Sequence, residues 1–418
     1  MIDKAGQVAS KQIISLYGNS YKELKLPKSW KEPTVIPIPK GPNKGGFRPI
    51  SLTPCIGKWM ERIILNRLIW KLGSLHININ GFCKGKGTGH CVINLLSNDE
   101  KKIAIFIDLE KAFELASPTV IVDILINRGV KGYLIGWIKD YLVERRARVK
   151  YQGAHSRSFP LENGTPQGGV LSPTLFNLLM DELLRARLPK TVEIVSYADD
   201  LVIVVKGGNA IRDGQEALNI LTNKCNELGL KISKDKSRVM AFKLSLETEN
   251  LTMQGHRLEW VQEYRSLGIV IDNRLLFTNH VNDLRERLKS RVRTMRVMTS
   301  SKVGANSKVL RTFYVQAIRS LVDYSSHALF LVSNTKLKKL ETQQNNALRI
   351  MAHAPQWTKI VTLKDLFQLE GLEDRIQKLS LSLVIKIYKK GENTTAWKNI
   401  HRSMNDRKQK GKWSKKVR

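Results

Sequence analysis

Residues 196–205 read SYADDLVIVV, placing two adjacent aspartates, Asp199 and Asp200, between the apolar runs IVSY and LVIVV. Apolar flanks of this kind predict two buried strands joined by a tight turn, and Asp suits turns because it tolerates their backbone conformations. A third carboxylate, Asp108, stands near the end of another buried-type strand, IAIFIDL at 103–109. Gathering these groups is costly: each like-charge pair at ~4 Å costs about 4 kcal/mol at an effective dielectric of roughly 20. Divalent cations remove that cost. Mg²⁺ takes oxygen ligands and keeps positions open for substrate phosphates. Two such ions can activate an attacking hydroxyl and stabilise the leaving oxygen in phosphoryl transfer. Asp108, Asp199 and Asp200 are therefore candidate ligands for two Mg²⁺ ions, with Mn²⁺ as a substitute. A solvated hairpin tip explains a lone DD pair equally well, so the assignment rests on its companions in the chain.

The chain must supply elements that hold these carboxylates and a partner that needs them. Its 418 residues suffice for two or three domains. Lys and Arg number 70 against 37 Asp and Glu, a net charge of +33. Such an excess predicts affinity for a polyanion, nucleic acid first. No run approaches the roughly 18 apolar residues of a spanning helix, and the start, MIDKAGQVAS, lacks a signal-peptide core. The expectation is an intracellular protein of nucleus or cytoplasm, with no membrane partner. The four cysteines form no C-x-x-C pair, and Cys83, His90 and Cys91 fit no usual zinc spacing. Reduced thiols are the better reading.

Along the chain, residues 8–25 show helical periodicity that ends at LPKSW. VIPIPKGPNKGGFRPISLTP is too rich in Pro and Gly for a helix and predicts short strands around a basic turn. Ile56, Met60, Ile63, Ile64 and Leu68 mark an amphipathic helix to Leu72. GFCKGKGTG (81–89) predicts a basic loop before a short helix, and KAFELASPTVIVDILINRG a helix stopping at Gly129. Residues 145–159 suggest a hairpin turning at Gly153. In NGTPQGGVLSPTLFNLLMDELL a glycine turn leads to a helix with Ser172 as N-cap and Pro173 at its first position. ALNILTNKCNELGL predicts a helix ending near Gly229; SRVMAF and YRSLGIVID predict further strands. From about residue 278 the chain is nearly all basic helix, and RKQKGKWSKKVR at its end predicts disorder. A mixed α+β half thus precedes a basic helical half.

In this order the segments resemble the boxes of reverse transcriptases. SYADD is similar to their [FY]-x-D-D box, and FIDLEKAF to their first palm motif, with Asp108 as metal ligand and Phe113 beneath the incoming sugar. TPQGGVLSPTLFN resembles the motif whose glutamine, here Gln167, lines the nucleotide pocket. LGLKISKDKSRVM resembles the next, implying for Lys236 the role of general acid to departing pyrophosphate. YRSLGIVID is similar to the primer grip, bringing Tyr264, Leu267 and Gly268 to the primer; Tyr197 touches the primer end. PKSWKEPTVIPIPKGPNKGGFRPISL resembles the fingers, with Lys40 and Arg48 at the triphosphate. FRPISL, KAFE and LETQQNNALRIMAHAPQWT look most like non-LTR retrotransposons of the LINE and jockey kind.

The resemblance implies a right-hand polymerase: fingers and N-terminal region at 1–102, palm with antiparallel sheet and YADD hairpin at 103–274, helical thumb at 275–355, basic helical extension and tail at 356–418. It implies an RNA-directed DNA polymerase using dNTPs, an RNA template and a DNA primer or nicked target DNA. A thumb gripping the RNA–DNA duplex would use Arg285, Lys289 and Arg293 of LRERLKSRVRTMR. Glu114, Cys83 and Gly169 replace the family's usual Asp, Arg and Ser, and the Lys40–Arg48 turn is short. No endonuclease segment is visible, so cleavage is expected from a region outside this chain or in trans. Two alternatives stand beside this reading: a group II intron-type maturase, and a nucleic-acid-binding retroelement remnant without catalysis.

Overall fold

The structure, a computed structural model, describes residues 6–41, 45–96, 101–242, 250–299, 304–391 and 394–405. The predicted tail at 407–418 lies outside the described residues. The strands that matter for the site are β1 (Thr34–Pro39), β2 (Phe47–Leu52), β3 (Lys102–Leu109), β4 (Arg145–Tyr151), β5 (Val192–Tyr197), β6 (Asp200–Lys206), β7 (Ile232–Phe242), β8 (Glu263–Ser266) and β9 (Ile269–Asp272). The principal helices are α1 (Gln7–Glu23), α2 (Cys55–Leu72), α3 (Thr88–Leu96), α4 (Pro118–Asn127), α5 (Tyr133–Leu142), α6 (Ser172–Leu184), α7 (Ala210–Glu227), α8 (Thr278–Val297), α9 (Ser320–Leu329), α10 (Asn334–Met351), α11 (Leu372–Lys390) and α12 (Thr395–Asn405). The α+β expectation holds, with the strands in the first two-thirds of the chain.

A five-stranded sheet runs in the order Glu259–Trp260, β7, β3, β6, β5. Its central strands are antiparallel, and β3 is paired on both sides. Because strand side chains alternate between faces, one strand can feed two cores. Ile103, Ile105, Ile107 and Leu109 of β3, with Leu201, Ile203 and Val205 of β6, enter one core, packed under residues of α2, α4, α5, α6 and α7. Ala104 and Phe106, with Val202 and Val204, enter a second core built from α3, β9, α8 and the helices after it. This two-sided burial explains why these strands read as continuous apolar runs rather than alternating ones.

A second sheet joins β2, β1 and β4; β1 pairs antiparallel with β2 and parallel with β4 through Thr34–Arg148 and Val35–Val149. The predicted hairpin beyond residue 145 therefore belongs with the first basic hairpin. The second core continues past residue 355 to Ile387, Ala396 and Ile400, so α11 and α12 share it with α8 and α10.

Four local expectations change. Ser172 is not the N-cap: α6 begins at Ser172, Leu171 precedes it in helical conformation, and no side chain caps the end. The Ser172 hydroxyl instead lies 3.4 Å from that of Tyr141. On α2, Met60, Ile64 and Leu68 are buried, but Ile56 and Ile63 are exposed because the core takes a narrower stripe. YRSLGIVID is a hairpin, β8 and β9 joined at Leu267–Gly268, rather than one strand. The 81–89 loop ends early, since α3 starts at Thr88. Among the described residues, no helix is long and apolar enough to cross a membrane.

Candidate active site

Asp108 lies directly opposite Asp200 across the β3–β6 ladder. Tyr197 pairs with Asp200 to close the hairpin, leaving Ala198 and Asp199 as its two-residue turn. Ala198 has φ of 55°, a left-handed conformation that costs a non-glycine residue energy and is held by its surroundings. Burial, then the neighbouring Asp108 charge, pushes the Asp199 carboxyl above its usual range; the charges of Arg48 and Lys236 pull the other way. The two carboxylates thus feel each other.

Lys236 reaches this group through an irregularity in β7. Phe106 pairs with Arg238 but Asp108 with Ser233, so β7 carries extra residues where β3 advances two. The excess is looped out as a bulge, which re-aims a side chain. Ser237 closes it by donating to the Ser233 carbonyl at 2.7 Å, and the Lys236 ammonium lies 3.2 Å from Asp108 Oδ2.

The set fits Mg²⁺ chemically: adjacent carboxylate oxygens with mutual repulsion to relieve. Among the described residues, no three His, Cys, Asp or Glu side chains already close round an ion.

Of the nucleotide-side candidates, Gln167 sits on a neighbouring loop, 164–171, laid against the residues after β3. The Thr165 amide donates to the Phe113 carbonyl at 2.8 Å, and the Gln167 amide group to Glu114 Oε1 at 3.2 Å. Glu114, the departure from the family's Asp, is therefore the partner of Gln167. The Ser51 amide of β2 donates to the Gln167 carbonyl at 2.7 Å. Gly168 is required there: its φ is 126°, and a Cβ would come 2.5 Å from the Ser51 carbonyl oxygen. Phe113 is half-buried, its ring 4.5 Å from that of Phe176 and 6.0 Å edge-on from Phe82. Arg48 pairs with Ile38 across the β1–β2 hairpin, and its charge reaches Asp199. Lys40 is exposed toward the tip of that hairpin, whose residues 42–44 lie outside the description.

On the opposite side, Tyr264 stacks on Phe106 at 4.3 Å between centroids. Burial, then Asp108 and Asp200, raises its pKa. The Tyr324 hydroxyl donates to the Leu267 carbonyl at 2.8 Å, and a Cβ on Gly268 would contact the Tyr324 ring. Tyr197 also feels Tyr324. Arg285, Lys289 and Arg293 follow one another at four-residue spacing on α8, from the edge of its buried stripe of Val281, Leu284, Leu288, Val292 and Met295 outward; Arg285 and Lys289 are half-buried and Arg293 is exposed. Lys289 is paired with Glu286 at 2.7 Å, and Arg291 turns inward to the Ala317 carbonyl.

Three positioning residues escaped the sequence. Glu61 of α2, 3% exposed, accepts from the Val170 and Leu171 amides at 2.6 and 3.1 Å and from the Tyr141 hydroxyl at 3.1 Å. It holds the Gln167 loop. Gly81 abuts the YADD turn so closely that a Cβ would fall on the Ala198 amide nitrogen. Asn78 donates to the Ile194 carbonyl of β5 at 3.0 Å and to the Thr395 hydroxyl of α12 at 2.8 Å. The only sequence signal was the glycine at 81, inside a segment read simply as a basic loop.

A family model described as "Reverse transcriptase (RNA-dependent DNA polymerase)" matches residues 38–271, a stretch running from the first basic hairpin through the YADD strands to β9. The probable RNA-directed DNA polymerase from transposon BS of Drosophila melanogaster is 27% identical over 84% of this chain and 42% of that protein. The RNA-directed DNA polymerase from mobile element jockey of the same fly is 26% identical over 88% of this chain and 43% of that protein. The chain thus spans less than half the length of these relatives. Apo telomerase from Candida Tropicalis superposes with a TM-score of 0.43 at 11% identity, covering 92% of this chain and 70% of that one. With the family model matched over more than half its length, and with jockey-type elements among its relatives, the chain belongs to the reverse transcriptase family, of the non-LTR retrotransposon kind.

Proposed function

We propose that this chain is an RNA-directed DNA polymerase that extends a primer 3′-hydroxyl with dNTPs on an RNA template and releases pyrophosphate. The observation that carries the reading is the carboxylate group itself: Asp108 and Asp200 face each other across a ladder, and Asp199 in the adjoining turn is held in a partly desolvated, repulsive setting. Two Mg²⁺ ions (or Mn²⁺) held by Asp108 and Asp199, with Asp200 beside them, would supply hydroxyl activation and charge neutralisation.

The other residues take roles consistent with their places. Arg48 and Lys40 neutralise the triphosphate, Arg by a planar fork and Lys as a point charge. Gln167, steadied by Glu114, borders the nucleotide, and Phe113 underlies its sugar. Lys236, now on Asp108, donates a proton to pyrophosphate as it leaves. Tyr197, Tyr264, Leu267 and Gly268 hold the primer end, and Arg285, Lys289 and Arg293 grip the duplex backbone. On this reading, β1, β2 and β4 are fingers, the five-stranded sheet and β8–β9 are palm, and α8 to α10 are thumb. An endonuclease would act from another region or in trans, on nicked target DNA, in nucleus or cytoplasm. The test is primer extension on an RNA template with dNTPs and Mg²⁺. Template-dependent, dNTP-specific products are expected; a purified, folded, duplex-binding protein making none in Mg²⁺ or Mn²⁺ would sink the proposal.

A further inference from the structure

Outside the catalytic group, a surface cavity of about 500 Å³ lies between α1, the C-terminal end of α2 and the start of α5. It shares no lining residue with the carboxylates, the Gln167 loop or the β8–β9 hairpin. Its walls combine two side-chain types. Tyr21, Trp70 and Tyr133 supply aromatic faces, and Arg67, Lys71 and Lys131 supply cations. Trp70 is 79% exposed and Tyr133 56%, unusual for large aromatics on a folded surface. Lys71 stands 4.7 Å from the Trp70 ring centroid and Arg67 5.1 Å from that of Tyr21, while Tyr21 and Tyr133 lie 5.8 Å apart. Arg67 and Lys71 therefore lie over aromatic rings rather than pointing away from them. Among the described lining residues there is no carboxylate.

One more feature points to an anion. The cavity wall includes the beginning of α5, where Gly132 is the N-cap, no side chain caps the helix and the first turn has no acidic residue. Free amides at a helix start attract negative charge, and Lys131 sits just before them. Aromatic faces for bases, cations between them for phosphates and an uncapped helix start are the parts of a single-strand platform.

We propose that this cavity binds single-stranded nucleic acid, stacking bases on Trp70 and Tyr133 and taking phosphates on Arg67, Lys71, Lys131 and the start of α5. It would hold an unpaired strand outside the catalytic cleft. The proposal goes beyond the polymerase reading and does not need it: a protein that failed to extend primers could still carry this site.

The test uses the full chain with its cleft first saturated by a short primer–template duplex. A fluorescent single-stranded 12-mer, oligo-U or oligo-dT, is then titrated. The Trp70→Ala/Tyr133→Ala double variant is expected to weaken its binding at least about thirtyfold, the scale of two lost base stacks. Trp70→Phe, which keeps a stacking face, should stay near wild type. Lys71→Gln/Lys131→Gln should lower the log–log salt slope by about 1.4, two phosphate contacts at roughly 0.7 each. Extension of the short duplex and the melting temperature should be unchanged in all of them. Tighter binding of oligo-U than oligo-dT would assign the site to RNA, and equal binding to either strand. Failure of any 12-mer to bind the saturated protein, or unchanged affinity in the double alanine variant, overturns the proposal.

Discussion

The two faces of the catalytic sheet are buried by different means. The core under α2, α4, α5, α6 and α7 contains charges. Glu61 is satisfied by two amides and a tyrosine hydroxyl, and Asp181, fully buried, bonds Arg128, Arg185 and the His76 amide. The core beyond β9 and α8 holds no fully buried carboxylate among the described residues: it has His280, fully buried, and half-buried His327 beside His90, each with its pKa held down to about 4 by burial, and one buried ammonium, Lys102, which donates to the Leu95 carbonyl and lies over the Phe242 ring. The first side holds the Gln167 loop, where a buried carboxylate accepts two amides at fixed positions. The second side carries the surface proposed to grip a long, sequence-independent duplex, which asks for shape more than for a point of fixed charge. Buried carboxylates go with atomic positioning here, and buried histidines with a broad surface.

The largest effect is expected where the sheet's two faces meet. Asp108→Asn and Asp199→Asn should each cut primer extension by a factor on the order of a thousand, comparable to removing strong electrostatic stabilisation of a transition state. Duplex affinity should stay near wild type, measured by gel shift. Extension near wild-type levels by either variant would show that the carboxylates are not the metal ligands.

Glu61→Ala tests the first core. It leaves two amides buried without a partner and the Tyr141 hydroxyl with only Ser172, a loss of about 2–4 kcal/mol in urea unfolding. In the folded fraction the KM for dNTP should rise more than that for the duplex. Equal changes in both would reduce Glu61 to a packing role.

The second core should answer to mild acid. The three histidines have folded pKa values near 4, below the usual 6.5. Their contribution is therefore complete above pH 6.5 and is lost as pH falls toward 4. Asp181 is held below its usual range by its arginines and the His76 amide, despite burial, so its contribution fails only at more acid pH. Glu61, raised by burial, has the opposite sign and does not weaken the first core on acidification. Between pH 6.5 and 5 the melting temperature should fall by several degrees, with hydrogen exchange rising first in α8 and α9. Loss starting in α4 to α6 would reverse the comparison.

Gly81→Ala is a smaller probe of the same hairpin, driving a methyl group onto the Ala198 amide. Overpacking of this kind costs about 1–3 kcal/mol, and kcat should fall severalfold at unchanged duplex affinity. Unchanged kcat would mean that the YADD turn shifts freely. Phe113→Val should lower discrimination between dCTP and CTP about tenfold, or ~1.4 kcal/mol of differential transition-state binding. The kcat/KM ratio measures it. An unchanged ratio would leave Phe113 as a partner of Phe176 only.

Much of this molecule was legible before any coordinates. The strands of the sheet, the YADD turn, the order of the boxes and the basic helical second half all rest on local signals: apolar runs, turn residues and helical periodicity within some twenty residues. Asp108 could be joined to Asp199 and Asp200 by chemistry, because three carboxylates at strand ends need a common reason. Tertiary structure decided what depends on distant partners. Lys236 reaches Asp108 only because β7 bulges against β3, and no reading of KDKS alone contains that register. Glu61 looks like any charge on an amphipathic helix until its amide partner appears 109 residues away. Asn78 meets Thr395 across 317 residues, and Gly81 needs its small size only because another turn presses on it. Ser172 kept the residue type of a cap but lost the role, since the chain before it was already helical. Local propensity is written in neighbouring residues; register, burial and close approach are properties of the packed chain as a whole.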